Sequence, residues 1–344
     1  MLATLTAKLA GGDSLTRADV AQAVKSLTTE NSPAKDKADF LLVLADKGET
    51  TDEIAAFASE LRELSITPPL DVETRARDIL DVCGTGGDQL GTFNISTTVA
   101  LVVASAGVTV AKHGNRAITS KSGSADVLEA LGIRIDLTPA EAAVALREHN
   151  FAFLFAPHYH PAFKHIGPAR KICAEKGRRT IFNFLGPLLN PARPTCQLIG
   201  VPRSELCEPM AKVLQMLGIR RGMVVSGKVG DKQLDELSTL GPTTIAEFYQ
   251  DRAFALSTLE PENLPVAPAS VADLAGGDRE ENAGIIRRIL SGEDRGPKRD
   301  AVLLNAGAAF FVVGKTDSIG EGWELAAEQI DSGSAREKLK TLAG

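Results

Sequence analysis

The chain has 344 residues, 44% of them hydrophobic and 24% charged, with a net charge of −6. That composition suits a soluble globular protein with core enough for one or two domains, and the acidic balance counts against a general nucleic-acid binder. The N-terminus lacks a charged-then-apolar signal pattern and no run reaches the roughly 18 apolar residues of a membrane span, so neither nucleic acid nor membrane is an expected partner.

Residues 1 to about 70 read as helices only. Leu2 to Leu9 ends at Gly11-Gly12, and Thr16 to Leu27 is amphipathic through Leu15, Val20, Ala23, Val24 and Leu27. Pro33 to Ala45 follows, then a fourth helix through Leu64 opened by the capping-box spacing of Thr50 and Glu53. Four short helices cannot bury this much apolar surface alone; it needs either the rest of the chain or a second subunit. After Thr67-Pro68-Pro69, Ile79 to Cys83 is an apolar, β-branched strand that breaks into Gly84-Thr85-Gly86-Gly87-Asp88. Thr97 to Gly107 is apolar all round, a buried helix. A second strand, Val108 to Ala111, ends at Lys112-His113-Gly114-Asn115-Arg116, and the run Ser120 to Ser124 opens a helix through Leu131.

Pro139 to Glu148 predicts a helix and Phe151 to Phe155 a strand, with a loop from Ala156 to Pro161 and a helix from His165 to Lys176. Phe182 to Pro191 is a crossover, Gln197 to Val201 a strand, Ser204 to Leu217 a helix and Met223 to Ser226 a strand. Gly227 to Lys232 reads as a mobile loop before Asp235-Glu236, and Leu256 to Gly277 as irregular chain. Helices are expected over Asn282 to Leu290, Ala301 to Val313 and Ile319 to Ser332. Strands alternating with helices give an α/β class with a largely parallel central sheet. The cysteines Cys83, Cys173, Cys196 and Cys207 form no C-x-x-C pair, so reduced thiols and a cytoplasmic location are expected.

The chemistry concentrates where the first two strands end. Gly84, Gly86 and Gly87 leave no side chain between a ligand and the backbone N–H groups. Each loop feeds a helix start, which favours phosphate. Lys112, Arg116 and Lys121 add charge, and Ser96, Thr97, Ser120, Ser122 and Ser124 add hydroxyls. One such loop could be a plain turn; two with this dressing indicate a ligand carrying separate anionic groups. The spacing is neither a P-loop nor G-x-G-x-x-G. Asp235-Glu236 reads either as a solvated pair or as Mg²⁺ ligands beside substrate phosphates.

GTGGD, TFNIST, KHGNR and SKSGSADVLEALG, in this order and spacing, resemble the anthranilate phosphoribosyltransferase family of tryptophan biosynthesis. FAPHYHPAFKHIGPAR, RTIFNFLGPLLNPA, QLIGV and LDELSTLGPTTIAEF extend the resemblance. It implies a small all-helical domain, 1–72 joined by about 166–184, and a large α/β domain over the rest of 73–344. It also implies a homodimer through the N-terminal helices. The implied reaction moves phosphoribosyl from 5-phospho-α-D-ribose 1-diphosphate to the amine of anthranilate. By resemblance the donor is held by Gly84, Gly87, Asp88, Thr92, Asn94, Ile95, Ser96, Thr97, Lys112, His113, Gly114, Asn115, Arg116, Ala117, Ile118, Thr119, Ser120 and Ser124. Two Mg²⁺ per subunit would sit on Ser96 and Glu236 and on Asp235 and Glu236.

Anthranilate would meet Gly84, Asn115, His160 and Arg170, the guanidinium matching its carboxylate. Its amine is neutral at pH 7, so no strong base is required; His113 is the weakest candidate for that role. Gln89 stands where the family commonly has glycine, Thr119 where it has serine, Glu175-Lys176-Gly177 where it is more apolar, and Phe163 where it has Met or Tyr. A pyrimidine nucleoside phosphorylase of the same fold is disfavoured by the acidic pair and the KHGNR run, and a non-catalytic polyanion or nucleic-acid binder by the net charge.

Overall fold

The computed structural model describes residues 1–117, 121–250 and 253–344. Its first layer is the helices Leu2–Ala10, Arg17–Thr28, Ala34–Lys47 and Thr51–Glu63. Thr16 with Asp19, and Thr50 with Glu53, close capping boxes that satisfy N–H groups the helices cannot pair internally. Glu53 also accepts from the Leu15 N–H and pairs with Lys47, tying three helices together. Val20, Leu27, Phe40, Leu41 and Phe57 are fully buried. Their core continues into Ile166, Ala169 and Cys173, then Phe182, Met210 and Leu214, and ends on the sheet at Ile199, Val224 and Phe248. The apolar stripes of the N-terminal helices are thus covered within the chain.

The sheet contains β1 (Ile79–Gly84), β2 (Thr109–Gly114), β3 (Phe151–Phe155), β4 (Cys196–Gly200), β5 (Arg221–Val229), β6 (Lys232–Leu234), β7 (Thr243–Tyr249) and β8 (Ala253–Leu259). Its order is β3-β2-β1-β4-β5-β7-β8, with β6 on β5. β3 to β5 run parallel, and β6, β7 and β8 join antiparallel. The opposite face packs on the helix Ile95–Ser105, buried from Thr97 to Ala104, and on Pro297–Val312 and Ile319–Asp331. Those last two helices cross at glycines: a Cβ on Gly307 would lie 2.8 Å from the Trp323 nitrogen. Among the described residues no helix is long and apolar enough to cross a membrane.

Several sequence expectations need correction. Ala156 to Pro161 is not an open loop: Ala156–Tyr159 is a helical turn, and Pro161–His165 a 3₁₀ turn. Gly227 to Lys232 is a β-hairpin, because Val229 pairs with Lys232 across the two-residue turn Gly230-Asp231. Strand β7 was not expected, and β8 occupies the start of the stretch read as irregular. A last helix, Ser334–Ala343, closes the chain.

The chain steps from β1 out to β2 and β3, then returns to the other side of β1 as β4. This reversal opens a crevice at the carboxyl ends of β1 and β4, where α/β sheets bind ligands.

Candidate active site

Gly84 and Gly200 are paired at the ends of β1 and β4. Asp235 sits directly over them. A Cβ on Gly84 would come 2.2 Å from its Oδ2, and one on Gly200 1.5 Å from its carbonyl oxygen. Both strand ends must be bare for the acid to occupy the crevice. The hairpin β5–β6 delivers Asp235 there, and its Oδ2 accepts the Gly86 N–H at 2.7 Å.

Glu236 takes the N-terminus of the central helix: the Ser96 N–H donates to its Oε1 at 3.2 Å. A helix start that favours anions here faces a carboxylate. Lys112 is buried beside them. Its ammonium donates to the Val82 carbonyl at 2.6 Å and the Ser96 hydroxyl at 3.3 Å. Desolvation, with Asp88 close by, pushes the Asp235 carboxyl up to about 7. Desolvation and then Asp235 push Glu236 well above the carboxylate range, while burial pulls Lys112 down. Asp88 lies close to both acids, Glu236 alone of the three faces the Lys112 ammonium, and Asp88 Oδ2 is buried without a hydrogen-bond partner. That excess of hard oxygen fits a divalent cation. Among the described residues no three His, Cys, Asp or Glu side chains are grouped so as to hold a metal ion; Mg²⁺ takes one or two carboxylates and completes its shell from substrate phosphates and water.

The two glycine-bearing loops are joined. Asn94 Nδ2 donates to the Ser122 carbonyl at 3.3 Å, and Asn282 Nδ2 donates to Asn94 Oδ1 at 2.9 Å. Thr92 forms a β-bridge with Ala275, and the Phe93 N–H donates to the Leu274 carbonyl, which fixes the lead-in to Ile95, Ser96 and Thr97. In the second loop Asp126 accepts from the N–H groups of Ala117 and Gly123, both at 2.9 Å. Gly114 has no room for a side chain: a Cβ would lie 2.3 Å from Ser124 Oγ. Asn115 accepts from Ser124 Oγ at 3.3 Å through its carbonyl. Arg116 is occupied by Asp126 and Glu129 at 3.0 and 3.1 Å. Ile118, Thr119 and Ser120 lie outside the described residues.

At the end of β2, His113 meets His160 with their Nε2 atoms 3.2 Å apart, so one ring donates and the other accepts. Desolvation, then His160, lowers His113 to about 3, and desolvation lowers His160 to about 4. Both are neutral at pH 7 and weakly basic. Behind them the His113 N–H donates to buried Asp81, and Asn190 Nδ2 donates to the Ala111 carbonyl. The ring of His160 lies 5.2 Å from Phe163, which meets Phe182 edge-on at 5.8 Å. Arg170 stands over Phe182 at 5.5 Å, its guanidinium partly desolvated. The result is an aromatic wall capped by a cation. Asp81, Phe182 and Asn190 were not anticipated; Phe182 and Asn190 fall inside the RTIFNFLGPLLNPA run, which carried a resemblance but no chemical pattern.

The family description "Glycosyl transferase family, a/b domain" matches residues 76–336, and "Glycosyl transferase family, helical bundle domain" matches residues 3–65. The chain is 50% identical over 305 residues to the anthranilate phosphoribosyltransferase of Lacticaseibacillus casei, covering 89% of this chain and 86% of that one. The anthranilate phosphoribosyltransferase of Thermus thermophilus superposes with a TM-score of 0.88 at 41% identity, over 98% of both chains. That of Saccharomyces cerevisiae, in complex with PRPP and Mg, gives 0.87 at 29% identity over 99% of this chain and 96% of that one. The chain belongs to the anthranilate phosphoribosyltransferase family.

Proposed function

We propose that this chain transfers phosphoribosyl from 5-phospho-α-D-ribose 1-diphosphate to the amine of anthranilate, releasing diphosphate, in tryptophan biosynthesis. One observation carries the reading: a bare glycine loop, a helix N-terminus and the crowded acids Asp88, Asp235 and Glu236 meet in the β1–β4 crevice. The aromatic wall of His160, Phe163 and Phe182 with Arg170 beside it suits an aromatic carboxylate.

The amine lone pair attacks the anomeric carbon with inversion, the bond from that carbon to the diphosphate oxygen breaks, and the nitrogen proton passes to solvent. Ser96 and Glu236, and Asp235 and Glu236, would hold two Mg²⁺ per subunit, whose charge would offset that of the leaving diphosphate. The backbone from Gly84 to Thr97 and the Lys112–Ser124 region hold the donor. Asn115 and Gly84 meet the amine end, and Arg170 the carboxylate. The remaining work is alignment of two bound substrates. A pKa near 3 gives His113 little basicity, in keeping with an amine that needs no strong base.

By the same resemblance the small helical domain comprises 1–72 and about 166–184, and the α/β domain the rest of 73–344; residues of the two helical segments pack in a core that continues onto the sheet. A cytoplasmic homodimer through the N-terminal helices follows from the family resemblance. The test is direct: purified protein with anthranilate, phosphoribosyl diphosphate and Mg²⁺ should consume anthranilate fluorescence and yield phosphoribosylanthranilate. No product at any Mg²⁺ concentration would remove the reading.

A further inference from the structure

Arg179 stands in the short stretch between the helix Gly167–Glu175 and the turn Phe182–Leu185. Its Nη2 is 3.4 Å from the point where a Cβ on Gly87 would sit, with Cζ at 3.9 Å and Nη1 at 4.0 Å. The planar guanidinium therefore rests on the bare backbone of the first glycine loop, at a residue whose φ is 92°. The chain on either side is pinned. Arg178 pairs with Asp46 of the helix Ala34–Lys47, and its N–H donates to the Cys173 carbonyl at 3.0 Å. The Thr180 N–H donates to Asn183 Oδ1 at 2.9 Å. These ties direct Arg179 across to the loop.

Two of the three loop cations are already engaged. Lys112 donates to the Val82 carbonyl and Ser96, and Arg116 is held by Asp126 and Glu129. Among the described residues Arg179 has no acidic partner. An exposed guanidinium without an acidic partner, lying on the bare backbone of Gly87, is matched to a group with paired phosphate oxygens. We propose that Arg179 binds the leaving diphosphate over Gly87, adding a cation from the helical side of the molecule to the charge that stabilises departure. This assignment rests on the phosphoribosyl-transfer reading and adds a residue to it.

The experiment compares wild type, Arg179→Ala and Arg179→Lys in the intact protein, by calorimetric titration of inorganic diphosphate with Mg²⁺ and by steady-state kinetics. The Ala variant should bind diphosphate at least about tenfold more weakly, the lower end for a charge-assisted contact. Its KM for phosphoribosyl diphosphate should rise in step, while the KM for anthranilate and the melting temperature stay put. Lys should rescue only partly, because the fork is lost. An Ala variant matching an active wild type in diphosphate affinity and in that KM overturns the role of Arg179 alone. A wild type that neither binds diphosphate nor turns over overturns the phosphoribosyl-transfer reading, and this assignment with it.

Discussion

Asp235 occupies space that two glycines keep open, so a single methyl group tests its placement. Gly84→Ala would put a Cβ 2.2 Å from Asp235 Oδ2, displacing the carboxylate. Turnover should fall by at least about tenfold with a stability loss in the overpacking range of roughly 1–3 kcal/mol; kinetics beside a denaturant titration read both. Removing the acids themselves, by Asp235→Asn with Glu236→Gln, should abolish turnover and leave the fold intact, and normal activity at ordinary Mg²⁺ would refute the metal assignment. The histidine pair makes a separate prediction with a definite sign. Folded His113 and His160 titrate near 3 and 4 against 6.5 when unperturbed. Below pH 6.5 the unfolded chain therefore binds protons that the folded one refuses, and their contribution to stability falls as pH drops from 6.5 toward 4. Asp81, raised to about 6 by burial, pulls the other way. Comparison with His160→Asn isolates the histidine share: the variant should lose less denaturant resistance between pH 7.5 and 5.5 than wild type, and equal losses would contradict it. At this scale the sequence was legible where a backbone must be bare, as at Gly84 and Gly87. It was not legible at Asp81, whose role depends on what its strand faces. Gln89 shows the limit: it stands where the family commonly has glycine, and it holds a φ of 58°. The left-handed conformation there costs on the order of 1 kcal/mol that glycine would not incur.

The hairpin β5–β6 is the element that brings the acids to the crevice, and it was the one most misread. Gly227, Lys228, Gly230, Asp231 and Lys232 look like a solvated loop by composition. The usable signal was Gly230-Asp231, a two-residue hairpin turn with Gly230 at a φ of 57°. Strand β8 was hidden for another reason: it is an exposed edge with no strong alternation of burial. Helices were easier, because Thr50 and Glu53 announce a capping box and Val20, Val24 and Leu27 keep the helical period. The hairpin is also tightly seated. A Cβ on Gly227 would come 2.5 Å from Ser238 Cβ and 2.7 Å from the Glu236 carbonyl oxygen. Gly227→Ala should therefore lower both the unfolding midpoint, by roughly 1–3 kcal/mol of stability, and the turnover number. A loss of activity with no loss of stability would mean that the strand yields while only the acids move.

Across the whole molecule the proposed substrate contacts come from two separate segments of chain. Arg170 belongs to a helix in the core of the N-terminal bundle, whereas the glycine loops and Asp235-Glu236 belong to the sheet. On the proposed reading, reaction would require the two to approach and exclude water. Arg170→Ala should raise the KM for anthranilate by the cost of a charge-assisted contact, on the order of 1.5–3 kcal/mol. The KM for phosphoribosyl diphosphate should barely change. Kinetics with each substrate varied in turn decide it: a change confined to the diphosphate sugar would contradict both the carboxylate role and the split site. This arrangement is what sequence periodicity could not supply, since no local pattern says that residues near 170 pack on residues near 40. The resemblance implied it instead.

The position of β1 in the sheet has a consequence for how the protein is made. β1 lies between β2, which follows it closely in the chain, and β4, whose first partner for Leu80 is Cys196. On the ribosome the glycine loop emerges early, while the strand that flanks it, and then the acids above it, arrive only after the whole β2–β3 excursion and the inserted helices. For that interval β1 presents an unpaired parallel edge, the kind of surface that invites wrong partners. Nascent chains stalled before residue 196 should stay protease-sensitive around Gly84 to Asp88, and chains stalled well beyond residue 236 should be resistant there. The catalytic crevice would then close late in synthesis, when the chain doubles back.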